Sequence, residues 1–173
     1  MNDSQSARRY AHAIIETATE TRAVRDELAA ISGTLNATPA LLEALSNPGV
    51  PSANKKAVVT AIFQGLSSPL PRLMDMLIDA SRVELIHEIA HRYRDEWNAK
   101  NNVHAARVTA ALELDDDARD RVRRAIEKAV SGSVEMEITT DPSLVGGLKV
   151  EVDGHLFDGT VKARLKALRQ HLL

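Results

Sequence analysis

Near Lys100-Asn101-Asn102 the spacing of apolar residues changes from a helical period to an alternating one, so one regular architecture cannot serve the whole chain. Before that point the apolar residues recur three and four apart. They form stripes at Ala7, Ala11, Ile14, Ile15 and Ala18, then at Val24, Leu28, Ile31 and Leu35, then at Leu41, Leu42 and Leu45. Asn47-Pro48-Gly49-Val50-Pro51 interrupts the series, because proline has no backbone N–H and clashes with the preceding turn. Further stripes run through Val58, Val59, Ile62, Phe63 and Leu66, through Leu70, Leu73, Met74, Leu77 and Ile78, and through Ile86, Ile89, Ala90, Tyr93 and Trp97. Ser4 or Ser6 is expected to cap the first helix and Ser52 the fourth, and Pro69 and Pro71 open the fifth. Residues 1–102 are therefore predicted to form a six-helix bundle.

Residues 103–173 read as a small α+β domain, which makes the chain mainly α overall. From Val103 to Leu114 apolar residues tend to alternate (Val103, Ala105, Val108, Ala110, Leu112), which predicts a strand. Asp115-Asp116-Asp117 opens a helix with Ala118, Val122, Ala125, Ile126 and Ala129 inward, and Gly132 is expected to end it. Val134, Met136 and Ile138 alternate with polar residues, as do Leu148, Val150 and Val152, and Asp153-Gly154 is a hairpin signal. Asp158 is expected to cap a last helix with Val161, Leu165, Leu168 and Leu172 aligned.

Composition removes several classes of function. The chain has no cysteine, which excludes thiolate catalysis and cysteine-bound metals. A net charge of -2 gives no general attraction to nucleic acid or anionic lipid. No apolar run approaches the ~20 residues that span a bilayer, and the N-terminal residues lack the basic and apolar segments of a secretory signal.

His87-Glu88-Ile89-Ala90-His91 matches the zinc-peptidase pattern, in which two imidazoles on one helix face hold the metal and the glutamate activates water. Two features oppose that reading. Arg94 and Trp97 occupy the positions where the extended pattern needs glycine and histidine. The apolar stripe of Ile86, Ile89, Tyr93 and Trp97 also points away from both histidines, which are then expected to be solvated. Gly146-Gly147 precedes a strand and lacks the helix dipole of a phosphate cradle. Arg121, Arg123, Arg124 and Lys128 share their helix with Asp120 and Glu127, which predicts a solvated face. No catalytic residue, metal site, cofactor or small-molecule substrate is expected.

The first and fifth helices each carry a second stripe. In the first it comprises Ser6, Tyr10, Ala13 and Thr17, roughly 100–120° from the core stripe. In the fifth it comprises Pro69, Leu73, Met76 and Ala80. Such stripes arise in any well-buried helix, or they form a groove for an amphipathic helix of another chain, with Tyr10 as anchor.

Three motifs in order make the chain similar to one family along essentially its whole length. Ala7-Arg8-Arg9-Tyr10-Ala11-His12-Ala13, Thr140-Asp141-Pro142-Ser143-Leu144-Val145-Gly146-Gly147-Leu148 and Asp158-Gly159-Thr160-Val161-Lys162-Ala163-Arg164-Leu165 resemble signatures of the delta subunit of bacterial F-type ATP synthases, the counterpart of the mitochondrial oligomycin-sensitivity-conferring protein. Lys162, Ala163 and Glu151 depart from the usual family residues. The resemblance implies a non-catalytic stator subunit, peripheral on the cytoplasmic face of the cell membrane, with no direct membrane insertion and no nucleic acid partner. It implies that residues 1–102 bind α-subunit N-terminal helices through Tyr10, Ala13, Arg72 and Met76, and that residues 103–173 hold the b-subunit stalk. Gly146, Gly147 and Asp158 then have architectural roles. A zinc peptidase built on His87, Glu88 and His91, and a helical adaptor outside ATP synthase, are the competing readings.

Overall fold

The computed structural model describes residues 3–171, with side chains described as far as Lys166. The chain divides into two compact units, Met1–Trp97 and Asn98–Leu173. The first is helical: α1 (Asp3–Thr17), α2 (Thr21–Ala37), α3 (Pro39–Ser46), α4 (Ser52–Ile62), α5 (Leu70–Asp79) and α6 (Leu85–Asn101), the last running through the division. The second contains β1 (Val103–Ala110), α7 (Asp116–Val130), β2 (Ser133–Thr140), β3 (Leu148–Val152), β4 (His155–Asp158) and α8 (Val161–His171).

The helical unit is organised by the stripes of α2, α5 and α6. Val24, Leu28, Ile31 and Leu35 of α2 are fully buried, and so are Leu70, Leu77, Ile86, Ile89 and Tyr93. Each such aliphatic side chain contributes roughly 1.5–3 kcal/mol relative to exposure. The two large polar aromatics satisfy their polar atoms on the turn that starts α2. Tyr93 donates its hydroxyl hydrogen to the Thr21 carbonyl at 2.9 Å, and the Trp97 Nε1–H donates to Thr21 Oγ1 at 3.1 Å. Arg25 lies 4.2 Å from the centre of the Trp97 ring. Burial pushes the Tyr93 phenol up to about 12. Glu27 of α2 accepts from both the backbone N–H and the hydroxyl of Ser67, which fixes the connector before α5.

Several local expectations give way here. Ser4 and Ser6 lie inside α1, and Ser52 is the first residue of α4 with Pro51 at the cap position, so none of them caps as expected. On α4 the buried side is Lys55 and Val59, whereas Val58 and Ile62 are exposed. That helix is only eleven residues long and its only large apolar residues are Val58, Val59 and Ile62, so its pattern admits two faces.

In the second unit the strand order is β2-β1-β3-β4. β1 and β2 are parallel, which requires a crossover, and α7 provides it. β3 is antiparallel to β1, and the β3–β4 hairpin turns on Asp153 and Gly154, both at positive φ as a two-residue turn of this kind needs. One sheet face packs on Ile126 of α7 through Ala106, Val108, Val150 and Val152, with Val134, Met136 and Ile138 beside them. The other face is polar and places Arg107 between Glu137 and Glu151.

Asp115 caps α7 as expected, accepting from the Ala118 N–H at 2.7 Å. On β1, however, Ala105 is exposed and Ala106 is buried, and the strand ends at Ala110, leaving Leu112 outside it. The inward set is Ala106, Val108 and Ala110, because the two-residue period allows only one parity to face the core. On α7, Ala125 and Ala129 face solvent, and Ile126 is buried with Val122 and Val130 packed beside it. That helix ends on Ser131 in the left-handed region rather than on Gly132. Gly132 is small for a different reason: a Cβ there would lie 2.7 Å from the Asn102 carbonyl oxygen.

Candidate functional site

The core stripe of α1 sends Ala7, Ala11, Ile14 and Ile15 inward, which leaves Tyr10, Ala13 and Thr17 on a neighbouring face. On α5, Leu70, Met74, Leu77 and Ile78 are buried, which leaves Arg72 and Met76 outside them. Between these faces lies a groove of about 880 Å³. It brings together all four residues assigned by the family resemblance: Tyr10, Ala13, Arg72 and Met76. Ser6, Thr17, Pro69 and Leu73 of the second stripes also line it, whereas Ala80 does not. The volume is near the upper end for small-molecule pockets. Ala13, Arg72 and Met76 are exposed, so the space is a channel on the surface and not a chamber. From Ser6 to Thr17 its α1 wall runs about 16 Å, three turns of helix.

Arg9, Ile14, Leu66, Ser68, Pro71 and Arg82 complete the lining. Arg9 was findable from spacing, since it stands four residues before Ala13 and three after Ser6 on one helix face. Arg82 was not. It reaches the groove because α5 ends in a Schellman turn: Ser81 adopts φ 53, its N–H bonds to the Ile78 carbonyl at 3.0 Å, and the Arg82 N–H bonds to the Leu77 carbonyl at 2.8 Å. Serine in that conformation leaves no sequence signal of the kind glycine leaves.

The second constellation lies in the other unit, where two motifs meet. Asp141 accepts from the Ser143 N–H at 2.9 Å, an Asx turn that starts the loop before β3. Gly147 has φ +83, and a Cβ on it would fall 2.5 Å from the Gly159 carbonyl oxygen and 2.9 Å from the Thr160 Cα. The Gly159 N–H bonds to the Leu148 carbonyl and the Val161 N–H to the Gly146 carbonyl, each at 3.0 Å. The two motifs are thus opposite sides of one backbone junction. Asp158 does not cap α8. Its carboxylate accepts from the Thr160 N–H at 3.0 Å, while Thr160 Oγ1 accepts from the Ala163 N–H at 3.2 Å and is the cap. The reason is register: α8 starts at Val161, which puts Thr160 at the cap position. Hydrogen bonds from the Thr160 hydroxyl and then its N–H hold the Asp158 carboxyl below its ordinary value. Val161 and Leu165 of the last stripe are exposed, and Leu168 and Leu172 lie outside the described side chains.

The peptidase-like segment is occupied by other contacts. His87 is half-buried, not solvated, with Nδ1 2.8 Å from Ser32 Oγ. Glu88 accepts from Arg92 Nε at 2.9 Å, and His91 pairs with Asp95 at 3.0 Å in solvent. The two imidazoles therefore face different surroundings and do not converge. On α7, Arg121 pairs with Asp117 and Arg123 with Asp120, which makes the basic run a solvated, charge-balanced face.

The family model described as the ATP synthase delta (OSCP) subunit matches residues 7–172, a span that includes the two-motif junction and every residue of the groove lining except Ser6. The chain belongs to this family. Among similar family members, the ATP synthase subunit delta of Lactobacillus delbrueckii subsp. bulgaricus is 30% identical over 99% of this chain and 98% of its own length. That of Myxococcus xanthus is 30% identical over 96% of this chain and 95% of its own length. In fold the chain is similar to one in the cryo-EM structure of the Toxoplasma gondii mitochondrial ATP synthase hexamer, with a TM-score of 0.72, 16% identity and 96% of each chain covered.

Proposed function

We propose that the α1–α5 groove receives the N-terminal helix of an ATP synthase α subunit, and that the second unit grips the b-subunit stalk. As a member of the delta family the chain is a non-catalytic stator subunit of ATP synthase. The observation that carries the groove assignment is the meeting of Tyr10, Ala13, Arg72 and Met76 in one apolar channel about three helical turns long. A half-buried tyrosine, an exposed methionine and a small alanine are the materials of a helix-in-groove site: an anchor, an adaptable wall and room for close approach. Residues 1–102 would serve as a six-helix bundle seated on the catalytic head, on the cytoplasmic side. In residues 103–173 the exposed Leu156, Phe157, Val161 and Leu165 support a protein contact there. Gly146, Gly147 and Asp158 serve this unit by shaping its backbone junction. Binding through two units raises the effective affinity of each, which suits a part that must keep the head from turning with the rotor.

Titration of the full chain with an α-subunit N-terminal peptide tests the groove. Tyr10→Ala and Met76→Asp should each weaken binding by about 1–2 kcal/mol, roughly 5- to 30-fold. Absence of binding, or affinity indifferent to both substitutions, would falsify the assignment.

A further inference from the structure

Among the described residues the groove wall contains three arginines, Arg9, Arg72 and Arg82, and no carboxylate, on a chain whose net charge is -2. Elsewhere several cations are paired, among them Arg25 with Asp26, Lys56 with Asp79, Arg92 with Glu88 and Arg121 with Asp117. Arg9, Arg72 and Arg82 have no hydrogen-bond or ion-pair partner for their guanidinium groups among the described residues. All three are exposed. Arg9 belongs to the α1 wall, Arg72 to the α5 wall, and Arg82 follows the turn that ends α5.

We infer that the groove selects an amphipathic helix whose apolar stripe is flanked on both sides by acidic side chains, which meet Arg9, Arg72 and Arg82. This rests on the reading of the groove as a helix-docking site. The apolar floor of Tyr10, Leu73 and Met76 takes the stripe, and the guanidinium groups remain at the margins with their donors free for carboxylates. A purely anionic polymer would leave that floor unmatched. A helix flanked by lysines would set like charges against each other and be rejected, so the arginines supply selection as well as attraction. Because the charges stand on both walls, acidic residues on one flank alone would satisfy only part of the set.

The test uses the full chain and three synthetic peptides of about twenty residues with one shared apolar stripe, flanked by Glu, Gln or Lys. Binding is read by fluorescence anisotropy at about 0.05 M and about 0.5 M salt. The Glu peptide should bind about tenfold more tightly than the Gln peptide at low salt, as expected for three exposed pairs. The Lys peptide should bind more weakly than either, and the spread should shrink at high salt. Converting all three arginines to Gln should bring the Glu and Gln peptides to equal affinity and remove the salt dependence of their difference. Arg9→Glu/Arg72→Glu/Arg82→Glu should invert the ranking in favour of the Lys peptide. Equal binding of Glu and Gln peptides, both lost in Met76→Asp, would overturn charge selection and leave helix docking standing. No binding of any peptide would overturn both.

Discussion

Gly147→Ala is the substitution whose cost can be worked most directly from geometry. The left-handed φ of +83 costs an L-residue about 1–2 kcal/mol by itself. The new Cβ would also stand 2.5 Å from the Gly159 carbonyl oxygen, and that obstacle is backbone, so no side-chain rotation relieves it. Relief requires separating the two strands of the junction and losing the Gly159 N–H to Leu148 and Val161 N–H to Gly146 bonds, about 0.5–1.5 kcal/mol each. The total is about 2–5 kcal/mol, a large share of the roughly 5–15 kcal/mol of a typical domain. Gly154→Ala is the matched control: φ there is +81 and no atom lies within 4 Å of the added Cβ, so only the conformational cost of about 1–2 kcal/mol applies. Urea unfolding followed by hydrogen exchange at β1 and β3 amides measures both variants. Fluorescence of Trp97, the single tryptophan, belongs to the helical unit and should be unchanged in either. If Gly147→Ala cost no more than Gly154→Ala, the junction would not be tightly packed and the account of both motifs would fail.

Three further outcomes are expected. Gly33→Ala, at an exposed site within α2 with nothing within 4 Å of the added Cβ, should stabilise the helical unit by about 0.5–1 kcal/mol and raise its Tm. Tyr93→Phe leaves the Thr21 carbonyl without its 2.9 Å donor and should destabilise the same unit by about 1–2 kcal/mol in thermal denaturation. The Asp158 carboxyl is held below its ordinary 3.8 by Thr160, so its contribution is present above that pH and is lost as pH falls through the lowered value. Acid titration followed by exchange at α8 amides should show this loss in the wild type and a flatter profile in Asp158→Asn.

Stripes with a single apolar face, such as Val24–Leu28–Ile31–Leu35 and Ile86–Ile89–Tyr93, were legible in the sequence because burial there depends on period alone. Where a helix was short and had few large apolar residues, as in α4, two faces fitted the residues and the contacts chose the one through Lys55. Caps were harder, since Ser4, Ser6, Ser52 and Asp158 all have suitable chemistry and only the exact starting residue decides which one acts. The groove was legible in outline from the second stripes of the first and fifth helices. Its arginine margin was less so, because Arg82 arrives through a turn whose left-handed serine looks ordinary in a sequence. The junction of the two glycine motifs needed three dimensions, since Gly147 and Gly159 are distant in sequence and meet only through the paths of β3 and the segment before α8.

That junction also determines how compliant the second unit is where α8 leaves it. Val161, the first residue of the helix, is tied to Gly146 ahead of β3, and Gly159 just before the helix is tied to Leu148 of β3, both by backbone hydrogen bonds with no side chain interposed. Side chains yield under strain by turning about their χ torsions, whereas paired peptide groups have no such freedom. A pull on α8 therefore passes straight into β3, an interior strand bonded on both sides, and is shared across its neighbours β1 and β4. The glycines, by having no side chains, make this a stiff coupling.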